Sequence, residues 1–82
     1  DESARQLPNL HAKYLDYNSL FQKQLRLLKR KKSEFPVSDR RGNKAFSQLE
    51  ELLAEQQDGI DATNEILKAI HQMSFTISSL LV

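Results

Sequence analysis

The side chains that could do chemistry are few, and their spacing argues against a catalytic centre. His11 and His71 are the only histidines, and there is no cysteine. Disulfides and thiolate metal sites are therefore excluded, and a reducing compartment is permitted. Neither histidine has a carboxylate cluster or a second histidine near it in sequence, so a metal or general-base role lacks partners. Gly42 and Gly59 are the only glycines, and they form no phosphate-cradling loop. The acidic set Glu50, Glu51, Glu55, Asp58, Asp61 and Glu65 falls mostly away from the apolar positions of its segment, which describes a solvated face. Tyr14, Tyr17, Phe21 and Phe46 recur at helical spacing and are expected to be core rings. The expectation is a protein without enzymatic activity, cofactor or metal.

One charged cluster has functional potential. Residues 26 to 44 carry Arg26, Lys29, Arg30, Lys31, Lys32, Arg40, Arg41 and Lys44 against Glu34 and Asp39, giving +6. Residues 45 to 82 carry Lys68 against the six acidic residues named above, giving −5, while residues 1 to 25 balance to zero. The overall charge of +1 hides this asymmetry. Lys29-Arg30-Lys31-Lys32 has the type and spacing of a short nuclear-import signal, and Arg40, Arg41 and Lys44 would join it at one tip if the chain folds back. Such a patch suits phosphates, with a steep salt dependence, or an acidic protein segment. No base-reading motif accompanies it.

The elements that position these residues follow from apolar periodicity. Phe46, Leu49, Leu53, Ile60, Leu67, Ile70, Ile77 and Leu81 keep a three-four alternation, with Gln56, Thr63 and Ser74 in its polar places. That is a coiled-coil-like seam on one long helix, placed at about 44–80. Leu10, Tyr14, Tyr17, Phe21, Gln24 and Leu28, with Leu7 one step ahead, repeat the spacing on a first helix placed at about 9–33. Leu7-Pro8-Asn9 reads as its entrance, because proline is tolerated in a first turn. Pro36 disfavours helical geometry in the residue before it, so residues 34–43 read as the turn, and Asn43 after Gly42 as the cap of the second helix. Gly59 could divide that second helix into a three-helix bundle, but the periodicity keeps phase straight through it.

The resulting fold class is all-α, an antiparallel helical hairpin. Spacing suggests a register with Leu28 level with Leu49, Phe21 with Gln56, Tyr17 with Ile60, Leu10 with Leu67 and Leu7 with Ile70. Gly59 would then admit the Tyr17 ring, Gln24 and Gln56 would be the polar members of the seam, and the two histidines would lie about five positions out of alignment. Apolar residues are left over. Leu52, Ile66, Met73 and Leu80 form a second stripe at seven-residue intervals, and Leu20, Leu27, Phe75, Ile77 and Leu81 add to it. A hairpin of 82 residues cannot cover them all, which implies a partner surface: another copy forming a four-helix bundle, or another helical protein. The chain opens on Asp1-Glu2-Ser3 and closes on Leu80-Leu81-Val82, and is expected to be a single module excised from a longer protein, intracellular and with the nucleus favoured. No apolar run approaches the ~20 residues that a membrane span needs. The function expected is association through heptad seams, with nucleic-acid binding by the basic tip as the alternative.

Overall fold

The computed structural model describes residues 2–81, and the side chains of residues 5–80. Helix α1 runs Glu2–Glu34, a short 3-10 turn covers Val37–Asp39, and α2 runs Lys44–Leu81. The two helices pack against each other along their length as a hairpin of 63 × 15 × 14 Å. α2 passes unbroken through Gly59, so the three-helix alternative is not adopted.

The first helix begins earlier than its proline suggests. Pro8 lies inside α1 rather than at its entrance, although a proline within a helix removes one backbone hydrogen bond and crowds the preceding turn. Leu7 beside it is buried, so packing against α2 continues the helix back to Glu2. At the other end Pro36 stops α1, as its geometry requires. The connection then closes by backbone bonds from Asp39 N to the Pro36 carbonyl (2.9 Å) and from Asn43 N to the Arg40 carbonyl (3.3 Å). Gly42 takes a φ of +73°, a left-handed value that suits a residue without Cβ. Asn43 caps α2, its side-chain oxygen accepting from Ala45 N at 2.9 Å and Phe46 N at 3.2 Å.

The line of contact on α2 follows Phe46, Leu49, Leu53, Gln56, Ile60, Thr63, Leu67, Ile70, Ser74 and Ile77, all buried or half-buried. On α1 it follows Leu7, Tyr14, Asn18, Phe21, Leu25, Leu28 and Lys32. Tyr17 is 44% exposed, Leu10 is 37% exposed and Gln24 is exposed, so these three stand outside it. Asn18 and Leu25, one residue further along, take the places expected for Tyr17 and Gln24. Both versions fit a three-four alternation with Tyr14, Phe21 and Leu28. A polar match across the helices decides between them.

That match is a buried network. Asn18, only 4% exposed, donates through Nδ2 to Thr63 Oγ1 (2.8 Å), Asn64 Oδ1 (3.0 Å) and the Ile60 carbonyl (3.3 Å), two hydrogens shared among three acceptors. Thr63, 5% exposed, donates its own hydroxyl proton to the Gly59 or Ile60 carbonyl. Gln22 Nε2 donates to Asn18 Oδ1. The polar members of the seam are therefore Asn18 and Lys32 on α1 and Gln56, Thr63 and Ser74 on α2, without Gln24.

These bonds also correct the register by about one helical turn. Asn18 is level with Thr63, and carrying the alignment along places Phe21 level with Ile60, Leu28 with Leu53, Tyr14 with Leu67 and Leu7 with Ser74. Phe35 meets Phe46 edge-on at 5.6 Å, in the same alignment. Gly59 does admit a ring, but it is that of Phe21: a Cβ at Gly59 would lie 2.8 Å from three of its carbons. The expected register pairs Leu28 with Leu49, which would leave Asn18 without its network.

Candidate association face and basic tip

The two broad sides of the hairpin differ in chemistry. On one side lie Gln22, Asn18 and Asn64, and the ion pair Lys32–Glu50 at 3.6 Å. On the other side a shallow groove is lined by Gln24, Leu27 and Leu28 from α1 and by Leu52 and Gln56 from α2. The helical period extends this second side along both helices. On α2 it carries Leu52, Gly59, Ile66, Met73 and Leu80, with Glu55, Ala62, Ala69 and Thr76 beside them. On α1 it carries Leu10, Tyr17 and Gln24, with Lys13, Leu20 and Leu27 beside them. Leu20, Leu27, Leu52, Ile66, Met73 and Leu80 are all exposed, Leu80 by 81%.

The remaining expected interface residues lie elsewhere. Ile77 is half-buried in the line of contact with α1. Phe75 is 70% exposed but sits two residues on from Met73, on the far side of α2. The side chain of Leu81 lies outside the described residues. Of the residues expected in the intramolecular seam, Leu7, Phe46, Ile60 and Ile70 are buried, and Tyr14, Phe21, Leu28, Leu49, Leu53 and Leu67 are half-buried. Asn18, Leu25, Gln22 and Asn64 were not among them. A polar residue in the three-four alternation of one helix opposite Thr63 of the other was the signal that could have found Asn18.

Polar satisfaction is incomplete at one point of the apolar side. Gln56 Oε1 is buried and has no donor within the described hairpin. A buried acceptor left without a partner costs about 1–3 kcal/mol. It borders the groove between Leu27 and Leu52.

At the tip, aromatic packing divides the basic cluster into anchored and outward residues. Arg40 donates from Nε and Nη2 to the Phe35 carbonyl (3.2 and 3.0 Å), and its guanidinium lies 5.4 Å from the centre of the Phe46 ring. Lys32 Nζ lies 5.5 Å from the same ring. These two cations are half-buried and knit the turn, whereas Lys29, Arg30, Lys31, Arg41 and Lys44 are exposed. A positive surface remains at one end of the hairpin.

The corrected register also moves the histidines. His11 and His71 occupy, toward the open end, the same relative positions as Asn18 with Asn64 and Lys32 with Glu50, so they are close to level. Both are exposed. Among the described residues no three histidine, cysteine or acidic side chains gather as a metal site. No described helix is long and apolar enough to cross a membrane. Comparison of the chain with protein-family models, curated proteins and solved structures finds no match.

Proposed function

We propose that this chain is a non-enzymatic association module that pairs with a second copy through its apolar side, forming a four-helix bundle with coiled-coil-like packing. The observation that carries this reading is the gathering of Leu20, Leu27, Leu52, Ile66, Met73 and Leu80 on one side of the hairpin, while the opposite side is mostly polar and exposes only Leu15 and Phe75 as large apolar residues among those described. Scattered exposed leucines are ordinary on a protein surface, but apolar residues gathered along one side, with Lys13, Gln24 and Glu55 among them, are the pattern of a contact surface. Its size is adequate. A side 63 Å long and 15 Å wide has an outline of about 900 Å², polar residues included, so a second copy covering most of its length can reach the ~800 Å² per partner of a standard interface.

Light scattering against protein concentration, at low and high salt, tests the proposal. A dimer that persists in high salt is the expected result, since apolar burial is not screened. A strict monomer at high concentration would refute it.

A second reading rests on the tip. Lys29, Arg30, Lys31, Arg41 and Lys44 face outward at one end and could neutralise phosphates of a nucleic acid, without base-specific readout. The run from Lys29 to Lys32 is also of the kind that import receptors read, which is the basis for favouring a nuclear protein. This reading predicts binding that falls steeply with salt and is lost when Arg41 and Lys44 are changed to glutamine, whatever the oligomeric state.

A further inference from the structure

We propose that the second copy lies tip beside tip, with α1 of each hairpin over α2 of the other, and that charged edges select this orientation. The inference rests on the dimer reading above and adds its geometry. Two apolar sides can meet face to face about a two-fold axis in either of two ways. An axis along the hairpin sets α1 over α2 of the second copy at the same level, with both tips at one end. An axis across the hairpin sets α1 over α1 and α2 over α2, head to tail.

The charged edges distinguish the two. On α1 the residues bordering the apolar side outwardly include Lys23 and Arg30, and on α2 they include Glu51 and Asp58. The one ion pair among the described residues is Lys32–Glu50, so these four have no ionic partner among them. In the aligned register Arg30 is level with Glu51, and Lys23 with Asp58. An axis along the hairpin keeps those levels, so each positive edge meets the negative edge of the second copy, and both pairs occur twice. Against this arrangement stand the edge pair Asp16–Glu65 and the approach of the two basic tips, a repulsion between solvent-exposed charges that salt screens. An axis across the middle of the hairpin instead brings Asp58 near Glu65 and Lys23 near Asp16 of the second copy, one unfavourable and one favourable contact, and leaves Arg30 and Glu51 over uncharged residues. The apolar residues agree with the first arrangement, because Leu20 falls within one residue of level with the small Ala62, and Tyr17 within two residues, about 3 Å, of level with Ile66.

The proposal is tested with the full chain carrying Ser38→Cys at the tip and a nitroxide label there. The mass is measured on the same sample. Dimer mass with a tip-to-tip distance of about 20–30 Å is expected, as set by two helix layers packed 8–10 Å apart and the label arms. Dimer mass with a distance approaching the 63 Å length of the hairpin would overturn the orientation and leave the dimer standing. Monomer mass would overturn both. Independently, Glu51→Lys with Asp58→Lys is expected to weaken dimerisation about ten-fold at low salt, and Lys23→Glu with Arg30→Glu in the same chain to restore it. No restoration in the four-fold variant would refute the edge pairing.

Discussion

Asn18 holds the two helices in register through three acceptors on α2, and its value lies in what the alternatives would leave unpaired. Sliding α2 by a turn buries its amide without a partner, at about 1–3 kcal/mol. Asn18→Ala is accordingly expected to lower hairpin stability by about 1–2 kcal/mol in urea unfolding. Asn18→Leu should retain stability better and lose register, seen as more than one set of cross-helix contacts by NMR. A single sharp set in that variant would show that the network does not specify alignment. Gly59 makes a second residue-level test. Alanine there adds about 1 kcal/mol of helix propensity but drives its Cβ into the Phe21 ring, an overpacking that costs about 1–3 kcal/mol. Gly59→Ala should therefore destabilise the native chain and stabilise a chain carrying Phe21→Leu. Stabilisation in both backgrounds would disprove the ring contact.

Each helix is bounded by a different device, and the devices differ in strength. Pro36 ends α1 by backbone geometry, whereas Pro8 fails to begin it because burial of Leu7 continues the helix past it. The Asn43 cap starts α2 by satisfying two otherwise unpaired amides. Asn43→Ala should cost about 1 kcal/mol, read as a lower unfolding midpoint. Loss of amide protection should be largest at Ala45 and Phe46. Equal protection in both proteins would mean that the aromatic cluster of Phe35, Phe46 and Arg40 holds the turn without the cap.

The hairpin as a whole is a two-sided plate, mostly polar on one side and mostly apolar on the other. An isolated pair of helices 63 Å long has little interior, and the side chains of α1 and α2 that face each other are mostly only half-buried. Stability is expected to rise with protein concentration, because dimerisation buries the second side and acts on unfolding by mass action. Leu20→Glu with Ile66→Glu should remove that concentration dependence and yield a monomer while the helical circular-dichroism signal persists at high concentration. Persistence of a dimer in this variant would move the interface off the apolar side. Salt should leave the dimer nearly unchanged, since it screens the edge charges and not the apolar contact.

The sequence by itself determined that there are two helices, the end of α1 before Pro36, the cap at Asn43 and the continuity of α2 through Gly59, but not the start of α1, which lies before Pro8. These depend on local rules: apolar period, proline geometry and a side-chain cap. It also showed the second apolar stripe on α2, because a seven-residue recurrence is visible without knowing what it faces. Tertiary structure alone decided the alignment of the helices and which neighbours of Tyr14, Phe21 and Leu28 turn inward. Tyr17 and Gln24, or Asn18 and Leu25, satisfy the same alternation, and only the acceptors on the opposite helix distinguish them. The gathering of the exposed residues of α1 and α2 on one side was decided at the same level. Two amphipathic helices each have two flanks, and their mutual packing settles which flanks lie together.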